Sequence, residues 1–300
     1  MAYGVYVHIP FCQKKCAYCD FPSQVGTKAQ MAAYIAALCR EIEERGAAIA
    51  AHGTAATVYI GGGTPTALST SLLTRLLLTL KRTLPFSPEA EVTVEVNPGT
   101  VDLETLTALY TLGVTRLSVG AQSFSDRLLA RIGRIHTAQA IRDTVRWAWA
   151  AGFTDVGLDL MYGLPGQTME DVRDSVGAAM DLAPTHLSVY GLTVEEGTPF
   201  AAEEAAGTLN LPAEEETEAM YDYLTDILPR YGFSRYEIAN FARPGFMSRH
   251  NFSYWTDVPY VGFGAAAHGY WAGRRTANES DVARYIANYQ IGRASCRERV

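Results

Sequence analysis

Apolar residues along the chain follow two different periods. The runs GVYVHI, TVYI, EVTVEV, TRLSVG, DVGLDL and HLSVY are short and rich in β-branched and aromatic residues, and they read as strands. Between them apolar positions recur every three or four residues, as from Met31 to Arg45 and in SLLTRLLLTLKRTL, which predicts helices with one buried face. From Tyr3 to about Tyr190 the order is therefore βαβα, the order of a parallel sheet, in six units. Almost every strand candidate runs into a polar or glycine-rich segment: PFCQKKC, GGGTPT, NPGT, GAQSF, MYGLPGQT and GLTVEEGT. In a parallel barrel the loops at the carboxyl ends of the strands share one face, so these six segments are predicted to meet at one mouth. An open doubly wound sheet would place its loops similarly and is the alternative.

After Glu196 the pattern changes. LPAEEETEAMYDYLTDIL reads as a helix with a solvated glutamate face and an aliphatic and aromatic inner face. The segment YEIANFARPGFMSRHNFSYWTDVPYVGFGAAAHGYW is dense in Gly, Tyr, Phe, Trp and His and shows no period. It suits either a loop-rich surface packed on the sheet or a site for something flat and aromatic. The organisation expected is a barrel over 1–195 and an extension over 196–290. The last ten residues, IGRASCRERV, match one frame of a common sequencing adapter codon for codon. Residues 291–300 are accordingly expected to be non-native, with the natural chain continuing past Gln290.

Composition narrows the class. With 48% hydrophobic and 19% charged positions, a chain of 300 residues can bury a sizeable core as one large domain with an extension. No apolar run approaches the roughly 20 residues needed to cross a bilayer, and no signal-peptide pattern opens the chain. The cytoplasm is the location this predicts. A net charge of −7 without a Lys/Arg cluster argues against a nucleic-acid partner.

Of five cysteines, Cys12, Cys16 and Cys19 fall in HIPFCQKKCAYCDF directly after the first strand, in a CxxxCxxC spacing. Such a cluster in a reducing compartment points to metal rather than disulfides. One loop with this spacing can wrap a cubane and give one thiolate to each of three irons, leaving the fourth iron open to chemistry. Structural zinc needs four closed ligands, and no second cysteine pair exists. Cys39 lies in a helical pattern and is expected to be a buried small residue; Cys296 belongs to the suspect tail.

This spacing resembles that of the radical S-adenosylmethionine (SAM) superfamily, whose fold is an incomplete (β/α)6 barrel and whose cofactors are a 4Fe–4S cluster and SAM. GGGTPT resembles the glycine-rich SAM loop of that superfamily, where the absence of a Cβ lets the backbone approach its ligand. A narrower resemblance, carried by YVHIPFCQKKCAYCDF, GGGTPT, EVNPGT, GAQSF, IGRIH, DLMYGLPGQT and RYEIANFA, is to the oxygen-independent coproporphyrinogen III oxidases and their heme-chaperone relatives. It implies that Tyr6 packs near SAM at the cluster, that Gly62, Gly63 and Thr64 shape the methionine pocket, and that Glu95, Gln122, Arg134 and Asp159 line the cofactor cavity. A carboxylate at a strand end can accept from a ribose or an ammonium group, Gln122 can donate and accept, and Arg134 can pair with a carboxylate. His136 reads as a helix-start residue rather than a catalyst.

Two features divide the oxidase reading from the chaperone reading. The oxidase pattern resembles CxxxCxxCxC, and Phe21 stands where its fourth cysteine would be. HNFSYW, from His250 to Trp255, resembles the HNxxYW motif of the chaperone branch. The resemblance implies heme as ligand and cargo, with His250 as axial ligand, Tyr254 and Trp255 as stacking faces, and His268 as second-choice ligand. It also implies heme-accepting proteins of respiration at the inner membrane face as partners, and no coproporphyrinogen oxidase activity.

Overall fold

The computed structural model describes residues 1–290, so the expectations for Ile291 to Val300 lie outside the described residues. Six strands appear where the apolar runs predict them: β1 (Ala2–Ile9), β2 (Thr54–Gly62), β3 (Phe86–Val96), β4 (Arg116–Gln122), β5 (Val156–Tyr162) and β6 (His186–Gly191). They pair in chain order and all in parallel. The sheet stays open. β1 pairs on its free side with a later strand, β8 (Tyr260–Phe263), and β6 with the antiparallel β7 (Asn240–Ala242). Strands β9 (His268–Trp271) and β10 (Arg274–Ala277) continue the β1 edge, and a two-residue strand, Ser234–Arg235, ends the other. The fold is thus an incomplete (β/α)6 barrel whose C-terminal extension lengthens the same sheet at both edges.

The strands owe their burial to a strict period of two. Tyr3, Val5, Val7 and Ile9 of β1, Val58 and Ile60 of β2, Val92, Val94 and Val96 of β3, and Leu117 and Val119 of β4 face the helices and are buried. The intervening residues face the concave side and are polar or small: Gly4, Tyr6 and His8; Thr57, Tyr59 and Gly61; Glu91, Thr93 and Glu95; Arg116, Ser118 and Gly120. One side of each strand therefore makes the core and the other makes the site.

Helices α1 (Lys28–Ala50), α2 (Thr70–Thr83), α3 (Leu103–Thr111), α4 (Asp126–Arg131), α5 (Ala138–Ala151) and α6 (Met169–Met180) alternate with the strands. Five of these begin at a side-chain cap, from Thr27, Ser69, Asp102, Thr137 and Thr168, each accepting an N–H that the first turn leaves unpaired. In the extension, α7 (Pro199–Ala205) is followed by α8 (Glu214–Arg230), which buries Met220, Leu224 and Leu228 and leaves its glutamates outside, as the pattern predicts. A five-residue helix, α9 (Arg249–Ser253), and a last helix, α10 (Val282–Gln290), complete it. Cys39 is buried on α1, as expected.

The extension is fastened to the barrel by Glu41 of α1, which is fully buried. Its carboxylate accepts from Gly264 N at 2.8 Å, Asn278 Nδ2 at 2.8 Å and Tyr285 Oη at 2.5 Å, and pairs with Arg45. Four donors on one carboxylate explain why a charge can sit there without water.

Candidate functional site

The six loops meet at the carboxyl ends of β1 to β6 and enclose a cavity of about 350 Å³. Cys12, Cys16 and Cys19 line it together with Gly62, Gly63 and Thr64 from the second loop and Glu95, Gln122, Arg134 and Asp159 from the others. The cysteine loop and the glycine loop are built against each other. Gly63 N donates to Ile9 O at 2.8 Å, Thr64 N to Phe11 O at 2.7 Å, and Thr64 Oγ1 lies 3.5 Å from Cys12 Sγ. A Cβ on Gly63 would stand 2.8 Å from the Phe11 carbonyl oxygen, and Gly62, at φ +111°, would press one onto the His8 ring at 2.5 Å. Glycine is required at both positions by close approach, and at Gly62 also by its backbone angle.

Arg134 ties the far wall to the cysteine loop. Its guanidinium donates to Gly120 O at 2.6 Å and Asn97 Oδ1 at 3.0 Å, and reaches Cys16 Sγ at 3.7 Å. Glu95 accepts from Tyr59 Oη at 2.8 Å and from Gly62 N at 3.0 Å. Burial, together with the neighbouring Asp159, lifts its pKa to about 7 against those two hydrogen bonds. Asp159, held by Ser118 Oγ at 3.2 Å, is likewise raised by burial, with Ser188, Arg116, Ser118 and Arg134 pulling it back. Two carboxylates, on β3 and β5, thus line one hollow together with the Arg134 cation, an arrangement suited to a ligand carrying both an ammonium and a carboxylate.

Tyr6 does not line the cavity. Its hydroxyl donates to His8 Nδ1 at 2.9 Å, and His8 Nε2 donates to Pro22 O at 2.9 Å, so it props the end of the cysteine loop from behind. His136 does precede a helix, α5, but it also bridges two loops, reaching Asn97 Oδ1 at 3.0 Å and Ala121 O at 3.3 Å. Tyr59, Asn97, Ser118, Ser188 and Asn251 line the cavity without having been singled out in the sequence. Period-two counting back from Gly61 and Gly120 would have found Tyr59 and Ser118; nothing local marks Asn251.

His250, expected as an axial iron ligand, lies inside the protein in this structure. Helix α9 plugs the amino-terminal end of the concave surface, where Glu91 accepts from Arg249 N at 2.8 Å and His250 N at 3.0 Å. The His250 side chain is 0% exposed. Its Nδ1 lies 2.8 Å from Thr57 Oγ1, its Nε2 2.9 Å from Tyr254 Oη, and its ring stacks on Tyr59 at 5.2 Å. Burial and the nearby Arg116 push its pKa down to about 3. With both nitrogens engaged inside the protein, no lone pair is left for an outside metal. Tyr254 and Trp255, by contrast, are 47% and 59% exposed, and His268 is exposed on β9.

No three His, Cys, Asp or Glu side chains among the described residues converge on a single point, as one bare ion would require. A cubane makes a different demand, one thiolate for each of three irons, and three thiols from one loop facing one cavity meet it. The model of the radical SAM superfamily matches residues 6–179. The heme chaperone HemW of Lactococcus lactis subsp. lactis is 41% identical over 283 residues, covering 94% of this chain and 73% of that protein. That of Escherichia coli K12 is 36% identical over 268 residues, covering 89% and 69%. The solved structure of the radical SAM enzyme coproporphyrinogen III oxidase (HemN) from Escherichia coli superposes with a TM-score of 0.84 at 27% identity, over 96% of this chain and 69% of that one. The superfamily implies a 4Fe–4S cluster and SAM, and the loops of this cavity have the chemistry for both. The chain belongs to the radical SAM superfamily and, within it, to the HemW family.

Proposed function

We propose that this protein is a heme chaperone that holds a 4Fe–4S cluster and SAM in its barrel mouth, binds heme, and hands it to acceptor proteins. The observation that carries the reading is 41% identity over nearly the whole chain to proteins named heme chaperone HemW, against 27% to the solved oxidase. Phe21 supports it, standing 59% exposed on the cavity lining where the oxidase pattern has a cysteine. Cys12, Cys16 and Cys19 would hold the cluster. Gly62, Gly63 and Thr64 would receive the methionine end of SAM, and Glu95, Gln122, Arg134 and Asp159 its ribose and charged groups. When bound, the cluster supplies one-electron chemistry.

Heme is assigned to the outer face of the HNFSYW segment, where Tyr254 and Trp255 offer aromatic surface. His250 serves there as a positioning residue, fixing the Tyr254 hydroxyl from inside. The domain division at 195 is retained as a division of labour, the cofactor site in 1–195 and the heme face in 196–290. The acceptors are assigned to respiratory heme proteins at the inner membrane face and the chaperone to the cytoplasm; no described helix is long and apolar enough to cross a membrane. Heme titrated into the purified protein should shift the Soret band, and the reconstituted protein should leave coproporphyrinogen III unchanged. Robust decarboxylation with no heme binding overturns the reading in favour of the oxidase, the alternative with which the fold is compatible.

A further inference from the structure

A second hollow, of about 430 Å³, lies beside the HNFSYW segment, and Ser253, Tyr254, Asp257, Tyr260, Tyr270 and Arg275 line it. Four elements build it. Tyr254 follows α9, Tyr260 opens β8, Tyr270 stands on β9 directly opposite Tyr260, and Arg275 on β10 directly opposite Tyr270. Tyr254 meets Tyr260 edge-on, with ring centroids 4.9 Å apart and planes at 80°. The Tyr254 hydroxyl reaches inward to His250 while its ring stays partly exposed and lines this hollow.

The lining has two properties that a flat, anionic aromatic ligand requires. Phenol rings supply rigid apolar faces at low entropic cost. Arg275 is exposed and in no ion pair among the described residues, and it lies close enough to Tyr260 to draw its pKa down against the upward push of burial. On a chain of net charge −7, a dianionic ligand is repelled overall and needs a local cation to settle. Asp257 is the opposing charge in the same hollow.

We propose that this hollow seats the carboxylate-bearing edge of a tetrapyrrole, with Arg275 pairing a propionate and the Tyr254 ring facing the macrocycle. The proposal rests on the heme reading and names its site. Asp257 works against the ligand, so the two charges of the hollow act with opposite signs. Asp257 has φ +53°, a left-handed angle that asparagine adopts readily, so Asp257→Asn removes the charge without disturbing the turn.

Ferric heme and its dimethyl ester are titrated into the wild-type protein and into Arg275→Ala, Arg275→Lys and Asp257→Asn variants, with Soret absorbance as the readout. The free acid should bind the wild type about fivefold more tightly than the ester, the gain from one exposed ion pair. Arg275→Ala should abolish that preference and leave ester binding unchanged, Arg275→Lys should keep most of it, and Asp257→Asn should tighten heme but not ester. Equal binding of acid and ester by the wild type overturns the proposal and leaves the heme reading intact. So does an Arg275→Ala variant that weakens both ligands alike. A wild type that shifts neither Soret band removes the heme reading itself.

Discussion

Acidification tests where His250 sits. In the unfolded chain its imidazole titrates near the ordinary value of about 6.5. In the folded protein, burial and Arg116 push it down to about 3, with Thr57 and Tyr254 on its two nitrogens. The folded form binds fewer protons between those values, so stability is fully present above pH 6.5 and is lost as the pH falls toward 3. At pH 4.5 the loss from this ring is about 2.7 kcal/mol, two pH units at about 1.4 kcal/mol each. His136, pushed down to about 4 by burial and Arg134, adds a loss of the same sign and about the same size. Glu95 opposes both. Raised to about 7, it takes up its proton in the folded form first and returns about 3 kcal/mol as the pH falls from 7 to 4.5.

Because these contributions partly cancel in the whole protein, the assay compares variants by urea unfolding at pH 7.5 and 4.5, followed by circular dichroism. At pH 7.5 the His250→Asn variant should be less stable than wild type by about 2 kcal/mol, the worth of two hydrogen bonds between neutral groups. At pH 4.5 the gap should close or reverse, since only the wild type then carries the cost of a buried imidazole. A gap that stays constant between the two pH values refutes the argument. It would place the ring in contact with solvent and restore it as a candidate iron ligand.

Two further outcomes test the mouth and the extension. Anaerobic reconstitution should load about four irons per chain, Cys16→Ala should lose the cluster and Cys39→Ser should keep it, as read by iron content and absorbance; full retention in Cys16→Ala refutes the ligand assignment. Glu41→Ala should strip the Gly264, Asn278, Tyr285 and Arg45 donors of their acceptor, costing roughly 3–5 kcal/mol and lowering Tm by about 10 °C. A Tm within 2 °C of wild type would show that the extension is held by other contacts.

The barrel and its mouth were legible in the sequence because their signals are local. Period-two runs place Val5, Val58, Val94 and Val119 toward the helices, and a polar or glycine segment after each strand must lie at one end when all strands are parallel. The cysteine spacing is a property of one loop, and so is the glycine run that packs against it. The extension was only partly legible: its acidic helix shows a clear inner face, but the stretch from Tyr236 to Trp271 has no period because its short elements are held by contacts far away in the chain.

His250 shows that division most sharply. From its neighbours in sequence, HNFSYW is a histidine among aromatic residues, chemistry that suits an iron as well as it suits a core. Tyr254 on Nε2 is a near neighbour in sequence, but Thr57 on Nδ1, the Tyr59 ring stacked on the imidazole and Glu91 holding the helix backbone lie on strands about 160 to 190 residues earlier, and only folding brings those to it. Residue types and their spacing determined the fold class, the superfamily and the residues that meet at the mouth, because each depends on a repeat or a loop short enough to be read along the chain. The tertiary structure alone decided that His250 is sealed and that Tyr254 and Arg275 share a hollow, because burial and the partner of a polar atom belong to the packed molecule and to no segment of it.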